Sequence, residues 1–253
     1  VFQQAVSNCQ ERRTEEQPHE AERQHATKHA KQHHHQGQVT AAADQVGFEH
    51  VVHATDDENG ERVPVGALAQ LSDEMKACGA QPVWLGYIAV DDVDASVNRI
   101  VAAGGAVSMP AMDIADVGRI ALVTDPQGAP FYLMRGIHDV PSAAFAADRP
   151  RVGHCAWNEL ASADPDAAKA FYFAEFGWTK DGEMPMGAQG NYEFIRHNGL
   201  IGAVMPKPDE RPASLWNYYF RVANIDLAVE AIAASGGTLV MGPEEIPGGD
   251  FIV

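Results

Sequence analysis

The chain has 253 residues, of which 45% are hydrophobic, enough for two compact domains of about 100 to 150 residues each. Its formal net charge of −17 repels phosphate backbones and anionic lipid, which excludes nucleic acid and membrane surfaces as partners and leaves small-molecule ligands. The three cysteines, Cys9, Cys78 and Cys155, form no CxxC pair; with no apolar run near the ~20 residues of a bilayer span and no signal segment, the expected location is the cytoplasm.

In chain order, residues 1–45 are polar and hold six of the eleven histidines, so they read as a solvated tail or a mispredicted start. His25, His29 and His33 would share one helical face there, a pattern open to adventitious Ni or Zn binding. Residues 46–138 are expected to form a first domain, residues 139–150 a Pro- and Ala-rich linker, and residues 151–253 a second domain.

In the first domain, GFEHVVHA and RVPVGALAQL read as two strands around a turn-rich TDDENGE. Trp84 to Val90 has the composition of a strand. Val93, Val97, Ile100 and Val101 follow at helical spacing, and Gly104 with Gly105 supplies the stop. Strands are expected at Ala106–Met109, Gly118–Thr124 and Pro130–Arg135, the last after the turn Asp125-Pro126-Gln127-Gly128.

In the second domain a strand opens at His154–Ser162 and a helix runs over Asp164–Phe176, with Pro165 and Asp166 suited to its first turn. Strands follow at Gly190–Arg196 and Leu200–Met205. GEMPMGAQGNY between helix and strand reads either as a lid or as an ordinary loop. From Leu215 the pattern again gives strand, helix and strand, and runs out at Phe251–Val253.

The segment from Trp84 recurs from Trp216, 132 positions later: WLGYIAVDDVDASVNRIVAAGGAVSM lies over WNYYFRVANIDLAVEAIAASGGTLVM without a gap. Val65-Gly66-Ala67-Leu68 similarly matches Ile201-Gly202-Ala203-Val204. The expected fold class is therefore α+β, with four βαβββ modules, the first lacking its beginning and the last its final strand. Trp84 and Trp216, at equivalent positions, are expected as core anchors.

YIAVDDVDAS with its helix and Gly-Gly stop, DPQGAPFYLM, and WNELASADPDAAKAFYFAEFGW resemble the vicinal oxygen chelate superfamily, which includes glyoxalase I, bleomycin-resistance proteins and extradiol dioxygenases. WLGYIAVDDVDA and EIPGGD are more narrowly similar to tandem-module bacterial glyoxalase-like proteins and hydroxylases, a mycobacterial 27 kDa antigen group among them. The resemblance implies paired modules curled into cup-shaped half-barrels that enclose a ligand or metal.

The resemblance also implies a divalent metal held by His or Glu near the start of a first strand and by Glu near the end of a last one. Here those positions fall on Leu85, Trp157, Asn217 and Tyr132. Leu, Trp and Tyr side chains cannot replace the water of a hard or borderline cation, and an amide alone is weak. No metal site and no cofactor are expected, unless ligands lie in segments the truncated modules lack.

Strand alternation says what fills the cups instead. One face presents Leu85, Tyr87 and Ala89, joined by Pro130, Tyr132 and Met134. Another presents Trp157, Glu159 and Ala161, then Asn217, Tyr219 and Arg221, with Tyr192 and Phe194 from a later strand. Ile88, Val90 and Leu160 point the other way, toward the helices. Glu159 and Arg221 are the candidate catalytic pair: an internal ion pair or wet rim contact, or Arg221 anchoring a ligand carboxylate or carbonyl while Glu159 accepts a proton. His50, His53, His154 and His197 are expected at the surface or at strand edges.

The function these residues suggest is binding of a small apolar or aromatic metabolite without the usual metal. Alternatives are a metal-dependent lyase or oxygenase with ligands in the missing parts, a metal-free isomerase or hydrolase using Glu159, and a non-catalytic assembly protein. Exposed strand edges make a homo-oligomer conceivable.

Overall fold

The structure, a computed structural model, describes residues 48–55, 60–77, 79–138, 142–146 and 151–253. The expected polar tail and much of the expected linker lie outside the described residues, as does the side chain of His50.

Two strands, β1 (Phe48–Thr55) and β2 (Arg62–Ala69), pair antiparallel as a separate hairpin, and a short helix α1 (Asp73–Ala77) follows. The next unit runs β3 (Tyr87–Ala89), α2 (Val93–Ala102), β4 (Ala106–Ile114), β5 (Gly118–Thr124) and β6 (Pro130–Gly136). Its sheet has the order β3-β6-β5-β4, with β3 parallel to β6 and the other pairs antiparallel.

The same order recurs in β7 (Cys155–Ser162), α3 (Pro165–Phe176), β8 (Thr179–Pro185), β9 (Asn191–Arg196) and β10 (Leu200–Pro206). To this sheet β11 (Leu215–Phe220) adds on the far side of β7, giving β11-β7-β10-β9-β8. After β11 come α4 (Ile225–Ala234) and a two-residue pairing of β12 (Glu244–Glu245) with β13 (Phe251–Ile252). The architecture is mixed α+β without a closed barrel. Among the described residues no helix is long and apolar enough to cross a membrane.

Local chemistry sets the helix ends. The carboxylates of Asp92 and Asp164 accept from the backbone N–H of Ala95 at 2.9 Å and Ala167 at 3.0 Å, which satisfies first-turn donors that have no helical partner. Asn224 does the same for Leu227 in α4. Gly177 closes α3 at φ 67°, a left-handed conformation that costs glycine little.

Residues of both helices and both sheets pack into one cluster. One hydrophobic core results: Val93, Ile100, Phe131 and Leu133 of the first unit pack with Leu160, Phe171, Tyr172, Ile195 and Trp216 of the second. Ile88 and Val90 pack against the same cluster, as strand alternation predicts. At its centre the Trp216 indole donates to the Tyr172 hydroxyl at 3.0 Å, and that hydroxyl donates to Asp125 Oδ2 at 3.2 Å. The other Asp125 oxygen accepts from the backbone N–H of Gln127 and Ala129 and so fixes the turn before β6.

Four sequence expectations fail here. Trp84 lies ahead of β3 and is 52% exposed against Phe220, because the strand begins only at Tyr87; of the two equivalent tryptophans only Trp216 is buried. The strand expected after α4 does not form: Val240 is 92% exposed, and no residue of α4 is buried, since among the described residues no sheet pairs with the free edge of β11 to cover that helix. GEMPMGAQGNY is neither lid nor open loop, because Thr179–Pro185 is a strand joined to β9 by the single 3-10 turn Gly187–Gln189. His154 is fully buried, because residues 142–146 fold back along the start of β7 and its Nδ1 meets the Ala143 carbonyl. His53 and His197 are exposed, as expected.

Tyr172→Phe removes the hydroxyl and leaves the Trp216 N–H and an Asp125 oxygen buried without a partner. We expect a loss of about 3 kcal/mol in urea unfolding. Burial holds the Asp125 carboxyl above its ordinary 3.8, against its hydrogen bonds. A raised carboxyl pKa contributes stability that is present below the unfolded value and lost as pH climbs through the folded one. The stability of the parent relative to Asp125→Asn therefore falls as pH rises above 3.8, readable in paired denaturation series.

Gly202 supplies a second test. A Cβ there would stand 1.9 Å from the Asn158 carbonyl oxygen of β7, whereas at its sequence counterpart Gly66 nothing lies within 4 Å. Gly202→Ala is expected to cost about 3 kcal/mol or more by overpacking, and Gly66→Ala less than about 1 kcal/mol, by thermal denaturation.

Candidate functional site

Alternation along β7 sends Leu160 into the shared core and Glu159 to the opposite face of the sheet. Cross-strand register brings Trp157 beside Tyr219 and Glu159 beside Asn217 on β11, while β10 places Ala203 beside Glu159 and β9 places Phe194 beside Ala203. Met184 joins through its pairing with Tyr192. Three strands, β7, β9 and β11, thus deliver Trp157, Glu159, Tyr192, Phe194, Asn217 and Tyr219 to one face, all residues that the sequence assigns to it.

Glu159 is the centre. It is 8% exposed, and among the described residues no cation pairs with it. Three neutral donors hold it: the Tyr192 hydroxyl at 2.9 Å and the Tyr219 hydroxyl at 3.1 Å on Oε2, and Asn217 Nδ2 at 3.0 Å on Oε1. The Trp157 indole in turn donates to the Tyr192 oxygen at 2.7 Å, and Phe194 packs edge-on against both rings. Burial first, then the Glu159 charge, pushes both phenols above their ordinary value. They stay protonated and keep donating to the carboxylate.

The corresponding face of the first sheet is simpler. Tyr87 stacks on Tyr132 with centroids 4.5 Å apart, and Met134 lies one register step on, beside Ala89 and Ile120. This face is apolar: Tyr132 and Met134 pack against Ile114 and Ile120.

Two expected members are elsewhere. Arg221 stands past the end of β11, where its backbone bonds to His154 and Gly153 and its guanidinium pairs with Asp250 at 2.9 Å, so it does not meet Glu159. The strand ends at Phe220, with a register shift just before it, and alternation no longer carries the next side chain into the cup. Leu85 precedes β3 and is half-buried, outside the ladder that aligns Tyr87 with Tyr132.

One member escaped the sequence reading. Arg211, in the loop between β10 and β11, donates from Nη1 to Asn217 Oδ1 at 3.1 Å. It lies in no periodic element, so alternation could not place it.

The donor set does not fit a divalent cation. The four positions where the resemblance puts ligands hold Leu85, Trp157, Asn217 and Tyr132; the one nearby carboxylate already accepts three hydrogen bonds. Among the described residues no three His, Cys, Asp or Glu side chains converge. A cavity of about 700 Å³ lies away from the cup, in the seam between the two units, bounded by Ile88, Asp92, Arg99, Glu175, Trp178 and Tyr218.

Residues 151–253 match the Glyoxalase/Bleomycin resistance protein/Dioxygenase superfamily. "Putative glyoxylase CFP32" of Mycobacterium tuberculosis is 38% identical over 170 residues, covering 67% of this chain and 63% of that protein. "Anthracycline biosynthesis protein DnrV" of Streptomyces peucetius is 31% identical over 182 residues, 68% of this chain and 61% of that one. The chain thus spans less than two thirds of the length of either relative. A solved 2,2',3-trihydroxybiphenyl 1,2-dioxygenase from Sphingomonas wittichii covers 83% of this chain and 78% of its own at 14% identity and a TM-score of 0.48, a likeness too slight to argue from.

The Glu159 network has a spectroscopic consequence. Glu159→Gln removes the charge that disfavours tyrosinate, so Tyr192 and Tyr219 should ionise at lower pH than in the parent, seen as an earlier rise of tyrosinate absorbance in alkaline titration.

Proposed function

The chain belongs to the vicinal oxygen chelate superfamily, and from that premise we propose that it is a glyoxalase-like protein which holds a small planar aromatic ligand in the cup of β7, β9, β10 and β11 without a metal. The observation that carries this reading is Glu159: a nearly buried carboxylate that, among the described residues, forms no ion pair, inside a wall of Trp157, Tyr192, Phe194 and Tyr219. Burying such a group costs stability, and its three donors offset that cost only in part. A mostly apolar concavity with a few fixed polar groups is the general make-up of a small-molecule site.

Aromatic walls suit planar ligands, through offset or edge-to-face contact with Trp157 and Phe194. The name of the Streptomyces relative, an anthracycline biosynthesis protein, points to the same class, planar fused rings. Sequestration of such a compound needs no catalytic group. It is compatible with Glu159 being held by tyrosines rather than poised beside an open acceptor.

A fluorescence and thermal-shift panel of planar aromatic compounds tests the reading. Saturable binding is expected, weakened about tenfold or more in Trp157→Ala, which removes the largest ring of the wall. Silence across a broad panel, or a stoichiometric transition metal in protein purified without chelator, would overturn it.

A further inference from the structure

We propose that Arg211 is the cation of this cup, acting at the residue where the superfamily resemblance places a metal ligand, and that the preferred ligand is a planar aromatic carrying a carboxylate. The inference rests on the reading of the cup as a ligand site. Asn217 occupies the metal-ligand position in β11, and its amide is held at both ends: Nδ2 donates to Glu159 at 3.0 Å, and Oδ1 accepts from Arg211 at 3.1 Å. The amide therefore lies as a dipole between a positive and a negative group.

Arg211 uses one donor on that amide, and a guanidinium has five N–H groups in a planar fork. Among the described residues no carboxylate pairs with it. Its side chain is half-buried, in a loop fixed by backbone and side-chain hydrogen bonds: Arg211 N–H to the Pro208 carbonyl at 3.0 Å, Lys207 Nζ to the Arg211 carbonyl at 2.8 Å, and Lys207 N–H to the Ser162 carbonyl at the end of β7 at 2.8 Å. The guanidinium is thus held beside the cup by a loop anchored to the cup's own strand. Its field reaches inside, since Arg211 pulls the Tyr219 phenol downward while burial and Glu159 raise it.

The sign of the ligand follows from which groups remain free. Glu159 has both oxygens engaged, and the tyrosine hydroxyls and the Trp157 N–H are committed within the network. The largest unused donor capacity is on Arg211. Its fork matches two carboxylate oxygens at once, a geometry that a lysine or a neutral amide does not reproduce. The chain's net charge of −17 would otherwise repel an anion, so selection for a carboxylate depends on this local cation.

The test compares 2-naphthoate with 2-naphthamide, matched in shape and differing in charge, by titration calorimetry on the 253-residue chain in EDTA. The readout is the affinity ratio of acid to amide. We expect a ratio of about ten or more in the parent, falling to about one or below in Arg211→Met and lying between in Arg211→Lys, as charge-assisted bidentate bonds predict. A ratio near one in the parent, or one unchanged in Arg211→Met, overturns the proposal while binding of the amide keeps the cup reading intact. Binding of neither probe sinks both. A preference for the acid that is present without EDTA, vanishes in EDTA and returns with added Zn²⁺ or Mn²⁺ assigns the charge to a metal and overturns it. If Arg211→Met does not fold, the ratio in Arg211→Lys decides: a fall supports the proposal, and an unchanged ratio refutes it.

Discussion

The hydroxyl of Tyr172 stands between the two halves of the molecule, taking a hydrogen bond from Trp216 on one side and giving one to Asp125 on the other. Its ring stacks on Trp178 at 5.4 Å and meets Phe131 of the opposite sheet at 5.7 Å. Each of the three polar groups is almost wholly buried, and none could be so without the others. Gln127 reinforces the joint: its side-chain oxygen accepts from Ser162 and from the backbone of Asp164, and its side-chain nitrogen donates to the Asp164 carbonyl, so the turn before β6 is pinned to the N-terminus of α3. Arg99 and Glu175 link α2 to α3 above, a pair whose guanidinium is half exposed and whose carboxylate is mostly covered.

That joint also orients the cup. Trp216 lies in β11 directly beside Leu160 of β7, and both are drawn into the core by Tyr172 and its neighbours. Because side chains alternate, fixing Leu160 and Trp216 inward forces Glu159 and Asn217 outward, side by side on the opposite face. Slipping β11 by one residue would bury Asn217 and expose Trp216. The stability of the core and the arrangement around Glu159 therefore rest on one register, and the interior holds the polar network in place without touching it.

The two halves use a shared pattern differently. Both first strands have a parallel neighbour, β6 for β3 and β10 for β7, but only β7 has a second strand, β11, along its other edge among the described residues. The site with a buried carboxylate lies where two edges are covered. The α4 helix shows the reverse: its sequence matches that of α2, yet Leu227 is 61% exposed, because burial requires a sheet beneath it and amphipathic spacing alone supplies none.

Period-two and period-3.6 patterns, the capping aspartates and the glycine stops were enough to place β7, α2, α3, β5 and β6, and to sort Glu159 from Leu160 and Tyr132 from Leu133. They also brought Trp157, Tyr192, Asn217 and Tyr219 to one face, since alternation is local and survives whatever the strand pairs with. What needed the fold was every relation between distant segments. Arg221 shares the parity of Asn217 but lies beyond the strand's end; Arg211 sits in a loop with no periodicity, yet chain reversal carries it back to Asn217; His154 is covered by a segment ten residues upstream; and β8 was hidden by glycine and methionine that suit a loop as well as an edge strand. Side-chain direction is a property of a few neighbouring bonds and can be read from the chain. The partner a charge meets is fixed by long-range packing, which no local pattern encodes.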